Sequence, residues 1–448
     1  MRFPRVLPAL AASLLLAVSV SARAQSTDQR LGDVEKKLDA ALAELERLKL
    51  GGAASDTARS PVSRFGFAPG ASRVYDIGGG TSVGGYGEML FEAPDGERED
   101  GAPSRMRPRA DLLRAVFYVG HKFTPELLFN SEIEFEHSGI RDEAEALVDP
   151  LTGEGTAELT GEVVMEFGYL DWQARPWLGV RAGKLLVPMG LVNEQHEPPV
   201  FPGARRPDSE RLIIPSTWAA NGTGLYGATV SGLEWRAYIV EGLDARHFSV
   251  SRAVREGRQA GSQALFTHPA ITARVDWKGT VGLTVGVSGY TGDSWQEARP
   301  AGVNLSARVT LADVHADWRV RGLQLRGLWA KGTIGDADAL SNELGLTAGS
   351  RLGESFFGGY AEVVYDVAPL AWPGTEWGMA PYVRAETYDT QDGVSGAVDP
   401  AGTERRILTF GVAVKPHPQV VLKLDREARH SGADVETGRW NVALGWLF

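Results

Sequence analysis

The last nine residues, Trp440 to Phe448, constrain this chain more than any other stretch. Trp440, Val442, Leu444, Trp446 and Phe448 share one parity, and Asn441, Ala443 and Gly445 share the other. Only Leu447 breaks the rule. A period of two places the two sets on opposite faces of a β-strand. The bulky face is apolar and the other is small or polar, the pattern of a strand with lipid outside and a polar lumen inside. The same pattern also fits a core strand of a soluble β-sandwich.

The start of the chain favours the first reading. Arg2 and Arg5 precede an apolar run from Leu7 to Val20, then Ala22-Arg23-Ala24. A charged start, an apolar middle and a small-x-small end describe a secretory signal over residues 1–24. An N-terminal membrane anchor is the competing reading, and the run is short for a span. No later segment offers the 18 apolar residues of a spanning helix. An exported chain of this kind is either soluble or an outer-membrane barrel.

The chain has no cysteine, so disulfides, thiolate metal sites and a cysteine nucleophile are excluded. Its formal charge is -11, and losing Arg2, Arg5 and Arg23 with the signal makes it -14. Such acidity argues against nucleic-acid binding.

Behind the signal, Leu31, Val34, Leu38, Ala41, Leu45 and Leu48 are spaced three and four apart. This predicts a coiled-coil helix within 25–50, though a simple amphipathic helix has the same spacing. The seam is too short to be stable alone, so it is expected to gain stability from an attached oligomer. Residues 51–80 mix Gly, Ala, Ser, Pro and Arg without period and read as a flexible linker.

From residue 81 to 448 the period is two almost throughout. Ile271, Ala273, Val275 and Trp277 alternate with Thr272, Arg274 and Asp276. Val314, Ala316, Trp318 and Val320 alternate with Asp313, His315, Asp317 and Arg319. Gly279-Thr280 and Arg321-Gly322 read as tight hairpin turns. Short turns alternate with long polar connections such as Ala93 to Met106 and Leu243 to His268. The fold class is therefore all-β: a sixteen-stranded antiparallel transmembrane β-barrel preceded by a short N-terminal coiled-coil helix. Sixteen strands leave an aqueous channel rather than a filled core. The polar parity, with Asn130, Glu132, Glu134, Arg236, Arg274, Asp276, Arg326, Arg384 and Lys423, is expected to line it.

Alternation stops over about 192–221. Pro198, Pro199, Pro202, Pro207 and Pro215 with Phe201, Ile213 and Ile214 suit an ordered segment. It is expected to fold inward as a constriction loop whose charges set selectivity. Its Arg205, Arg206 and Arg211, with Arg114 or Arg181 on the wall, are the candidate selectivity residues. Pairing with Asp208, Glu210 or Glu197 merely to hold the loop's shape is an equal alternative.

Arg181-Ala182-Gly183-Lys184, Val187-Pro188-Met189-Gly190, Glu194, His196-Glu197-Pro198, Arg206-Pro207, Ile214-Pro215-Ser216-Thr217-Trp218 and Gly222-Thr223-Gly224-Leu225-Tyr226-Gly227 together resemble the phosphate-selective porin O and P family. Phe448 also resembles the terminal aromatic that serves as an assembly signal in outer-membrane barrels. The resemblance implies a trimeric pore in the bacterial outer membrane. Anion-specific members carry an arginine ladder and constriction lysines. Here the loop has no lysine and one lumenal strand is acidic, which points to a general or weakly selective pore. The expected function is passive diffusion of small hydrophilic solutes or inorganic ions, with anions such as phosphate included. A phosphate or polyphosphate channel, a non-conducting envelope tether and a secreted glycan-binding β-protein are the rival readings. The expected partners are outer-membrane lipid, lipopolysaccharide and two further copies in a homotrimer.

No enzyme, cofactor or metal is expected. Gly222, Gly224 and Gly227 match a dinucleotide fingerprint but precede no helix. Glu194, His196 and Glu197 are too close in sequence to converge on one ion. Asp95, Glu97, Glu99 and Asp100 read as a solvated outer loop.

Overall fold

The computed structural model describes residues 63–138, 161–175, 177–297, 305–347, 349–393 and 403–448. The expected signal, the coiled coil and the first part of the linker lie outside the described residues.

Sixteen strands form one closed antiparallel barrel, each paired with its neighbours in sequence. They are β1 (Gly80–Pro94), β2 (Arg109–Lys122), β3 (Leu127–Glu136), β4 (Val163–Arg175), β5 (Leu178–Leu186), β6 (Ala219–Ala228), β7 (Leu233–Val240) and β8 (Ala270–Trp277). The second half is β9 (Leu283–Asp293), β10 (Arg308–Val320), β11 (Leu323–Ile334), β12 (Ser355–Tyr365), β13 (Gly378–Asp392), β14 (Glu404–His417), β15 (Val420–Ser431) and β16 (Arg439–Leu447). Closure pairs β1 with β16 from Tyr86↔Leu447 to Pro94↔Arg439. With no edge left, every strand can satisfy its backbone inside the sheet, which a lipid-embedded sheet must do.

Parity behaves as the residues demand. Val314, Val363, Val383, Leu408 and Val442 are exposed outward, while Asp313, Glu362, Arg384, Thr409 and Asn441 are buried inward. Trp177, Trp277, Trp318, Trp372, Trp377 and Phe448 lie exposed near one rim, where indole rings bridge an apolar belt and water. Most links at that rim are short, such as 321–322 and 418–419, but 366–377 is longer and carries a single helical turn. The turn at Gly279-Thr280 is also longer than expected, because β9 begins only at Leu283. Gly87 serves the closing seam: a Cβ there would sit 2.1 Å from Trp446, so the indole lies flat against bare backbone.

The interior departs from the expected open channel. A continuous apolar cluster runs through it, including Tyr86, Tyr118, Leu128, Phe167, Tyr169, Leu185 and Tyr238 from the wall. Phe67, Ala71, Val74 and Tyr75 join it from residues ahead of β1. The last part of the segment expected to be a flexible linker is thus packed inside the barrel. Its aromatic residues explain this, since buried Phe and Tyr gain more than a flexible tail retains in entropy.

Candidate functional site

The longest described link inside the lumen is 187–218, between β5 and β6. Its boundaries differ slightly from the expected 192–221, because Gly222 and Gly224 belong to β6. There a Cβ would meet the Ile239 and Ala237 carbonyls of β7 at 2.3 Å, so glycine is needed for strand pairing and not for a turn.

The loop is tied to itself and to the wall by buried polar groups. Asn193 closes its base: the side chain accepts from Trp218 N at 2.6 Å and donates to the Val187 carbonyl at 2.7 Å. Glu210, fully buried, accepts from Leu191 N at 2.8 Å, Val192 N at 2.6 Å and the Tyr360 hydroxyl at 2.7 Å. Wall carboxylates take the other loop amides: Asp313 that of Gly190 (3.1 Å), Asp425 that of Ala204 (2.6 Å) and Glu386 that of Ser209 (2.8 Å). Lys423 donates to the Gly203 carbonyl at 2.8 Å. Non-helical backbone at membrane depth survives only where its groups are satisfied in this way. The acidic inward residues therefore act as acceptors for the loop more than as a free anionic lining.

A second element enters from the short-turn rim. Residues 64–76 run inward and return, their ends joined by the Arg64–Asp76 ion pair at 3.0 Å. The return leg ends in one helical turn, α1 (Arg73–Asp76). Phe67 stacks on Tyr169 at 5.6 Å, and the Arg181 guanidinium lies 4.6 Å from the Phe67 ring centre. Tyr75 donates to Asp171 at 2.7 Å. Lys122 donates to the Tyr75 and Ile77 carbonyls at 3.1 and 3.0 Å, and Arg73 to the Phe448 carbonyl at 2.7 Å.

The loop grips this hairpin through Glu197, whose carboxylate accepts from Gly70 N (3.1 Å) and Ala71 N (3.0 Å). Burial pushes the Glu197 carboxyl up to about 7, despite those two donors. Gly66 and Gly70 make the close approach possible: a Cβ would sit 2.3 Å from Arg236 and 2.7 Å from Leu447 respectively. Leu447, the one bulky apolar residue of inward parity in the last strand, faces this hairpin.

The five expected selectivity arginines do not gather in one ring. Arg181 is 1 % exposed, bonded to Asp171 at 2.9 Å and covered by the Phe67, Tyr169 and Tyr226 rings. Arg114 pairs with Glu134 at 3.0 Å and Glu88 at 3.3 Å. Arg205 pairs with Glu92 at 2.6 Å, and Arg211 with Asp208 at 2.8 Å. Burial opposes the Asp208 charge, but Arg211 and Arg429 outweigh it and hold the carboxyl well below its usual range. Arg206 is half-buried and, among the described residues, meets no carboxylate; it donates to the His196 carbonyl at 3.4 Å.

Two cations that sequence reasoning passed over join Arg206 and Arg211. Arg255 and Arg258, on the 241–269 loop, donate to carbonyls of the constriction loop: Arg255 to Arg211 and Ser216, Arg258 to Pro215 (3.0 Å) and Thr217. Burial, then Arg258 and Arg211, lowers the Arg255 pKa. The spacing Arg252, Arg255, Arg258 was visible, but nothing in it says that this loop folds onto another.

Among the described residues, one open space lies along β7 to β11. A polar cavity runs between Gly66 and Gln195 on one side and Arg236, Arg274, Asp317 and Arg326 on the other. Asp276 organises the wall, bonded to Arg236 at 2.7 Å, Arg274 at 2.8 Å and His315 at 2.9 Å. His315 also meets Asp313 at 2.6 Å. Both of its ring nitrogens thus face carboxylates.

Glu194 faces Arg236 at 3.4 Å, His196 bonds Glu132 at 3.0 Å, and Glu197 caps the hairpin, so the three diverge. The G-x-G-x-x-G run lies wholly in β6. Among the described residues, one exposed grouping, Glu99, His430 and Asp434, brings three metal-type ligands together, and it lies far along the chain from the loop.

No family model matches the chain. It is 37 % identical over 392 residues to an uncharacterized protein of Aquifex aeolicus (strain VF5), covering 86 % of this chain and 83 % of that one. Among solved structures it is similar to Salmonella typhi OmpF in complex with daunomycin, with a TM-score of 0.51, 11 % identity, and coverage of 83 % of this chain and 98 % of that chain. It is also similar to the outer membrane channel DcaP of Acinetobacter baumannii, with a TM-score of 0.49, 9 % identity, and coverage of 82 % and 97 %.

Proposed function

The chain belongs to the same family as the Aquifex aeolicus protein, and we propose that it is an outer-membrane porin that passes small hydrophilic solutes by passive diffusion. One observation carries this: a barrel with an apolar outer belt encloses a polar cavity lined by Arg236, Arg274, Asp317 and Arg326. A purely structural anchor has no need to keep charged groups along a hollow wall, since each costs desolvation unless water or a partner reaches it. The work is steric and electrostatic, with no covalent step.

Charge balance favours weak selectivity. Arg205, Arg211, Arg114 and Arg181 each have a carboxylate, so most of the expected field cancels at short range. Arg206, Arg255 and Arg258 leave a cationic bias on the loop, which supports a mild preference for anions. Kinship with the phosphate-selective porins, and phosphate as a solute, belong to this reading only as its narrower form. The short-turn rim is assigned to the periplasm and the long loops to the outside. A homotrimer fits the coiled-coil spacing at Leu31 to Leu48; chemical cross-linking tests it.

Liposome swelling with neutral sugars of graded size is the functional test. Uptake of small sugars with a sharp cut-off supports the porin. Liposomes that stay impermeable with folded protein inserted point to the envelope tether.

A further inference from the structure

Sixteen strands enclose far more space than the polar cavity occupies. The difference is filled on one side by the hairpin 64–76. It covers the inner faces of Tyr118, Gly120, Asn130, Tyr169 and Arg181, which come from β2 to β5. Val74 sits where a Cβ on Gly120 would be 2.6 Å away, and Asn130 donates to the Ala71 carbonyl at 2.9 Å. Phe67, Val74 and Tyr75 are buried, and the apolar area they remove from water holds the hairpin in place as a wall. Its tip meets the constriction loop at Glu197, and its edge at Gly66 forms one side of the polar cavity.

We propose that the hairpin Arg64–Asp76 is a second constriction element. The hairpin closes the β2–β5 side of the lumen, loop 187–218 closes the β12–β15 side, and solute is confined to the wall from β7 to β11. Pore size is then set by two elements locked together through Glu197, Gly70 and Ala71, and not by the loop alone. The inference rests on the channel reading above.

The test compares the full mature protein with a deletion of residues 64–76, in planar bilayers. The expected result is conductance in both, with a severalfold larger step after deletion and a larger sugar cut-off. Equal steps in both would overturn the second constriction and leave the channel standing. Conductance only after deletion would overturn the two-sided lumen in favour of a complete plug. Silence from both would refute the channel itself.

Because deletion exposes an aromatic cradle and can impair folding, a second measurement uses single cysteines in the otherwise cysteine-free chain. Thr284→Cys, on the cavity wall, is expected to react with a charged methanethiosulfonate and lower the current. Asn130→Cys, beneath the hairpin, is expected to stay unreactive. Reaction and block at position 130 equal to those at 284 would overturn the proposal.

Discussion

The two sides of this lumen solve the same problem in opposite ways. From β1 to β6 the inward side chains near the short-turn rim are Tyr86, Tyr118, Phe167, Tyr169 and Tyr226, packed under the hairpin. From β7 to β15 they include Arg236, Asp276, His315, Arg326, Glu362, Arg384 and Lys423, beside tyrosines such as Tyr238 and Tyr382. One side is packed with aromatic rings, and the other with buried, paired charges that loop 187–218 partly covers. A closed barrel does not dictate its contents; the inward residues of each strand do.

The comparison predicts an asymmetry in what mutations cost. Arg181→Met leaves Asp171 buried with a charge that Tyr75 and Tyr226 alone must hold, so a loss of about 3–5 kcal/mol is expected in a denaturant titration. Arg319→Met, on the polar side with its side chain 54 % exposed, is expected to cost about 0–1 kcal/mol. Equal losses would erase the distinction between the two sides.

Phe67→Ala comes next. It removes a ring stacked between Tyr169 and Arg181, and about 3 kcal/mol is expected from the cavity it leaves. A loss below about 1 kcal/mol would mean the hairpin is loosely seated, since large-to-small changes in packed cores cost more.

Glu197 sharpens the comparison at the junction. Its carboxyl sits at about 7 in the fold against 4.5 ordinarily, so the folded state holds its proton more tightly. Its contribution to stability therefore falls as pH rises from about 4.5 to about 7, and acidification tightens the grip on the hairpin instead of releasing it. Glu197→Gln should flatten that pH dependence and keep an acceptor for the Gly70 and Ala71 amides. Glu197→Ala should cost about 1–3 kcal/mol by orphaning them. A wild-type stability that rises across this pH range by an amount that Glu197→Gln removes would contradict the assignment.

The smallest effect expected is electrostatic. Arg206→Gln should shift the zero-current potential in a salt gradient slightly toward cations, while Arg205→Gln, whose cation already meets Glu92, should shift it less. The reverse order would show that Arg205 faces the solute path.

The barrel was legible because period two is a strong signal over strands such as 313–320 and 440–448, and each outward set is apolar. The inward loop was legible from its prolines and apolar residues. The hairpin is not, because composition marks residues 51–80 as one segment. Phe65, Phe67 and Tyr75 within it, and the matching inward tyrosines of β1, β2 and β4, were the available signal, and Leu447 was its echo at the far end of the chain. The arginines are legible only as two alternatives, a lining for solute or partners for the loop's own carboxylates such as Asp208. Residue type announces a charge, but only the fold shows that Asp171 and Glu92, distant in sequence or on another strand, stand beside Arg181 and Arg205. Arg255 and Arg258 act across two loops, a pairing that no local spacing encodes.

Single-channel recording from the purified protein in a planar bilayer, with a salt gradient and phosphate titrated in, tests the central claim most directly. The account predicts steady conductance steps, a small preference for anions and little block by phosphate. A folded, inserted protein that carries no current would contradict it.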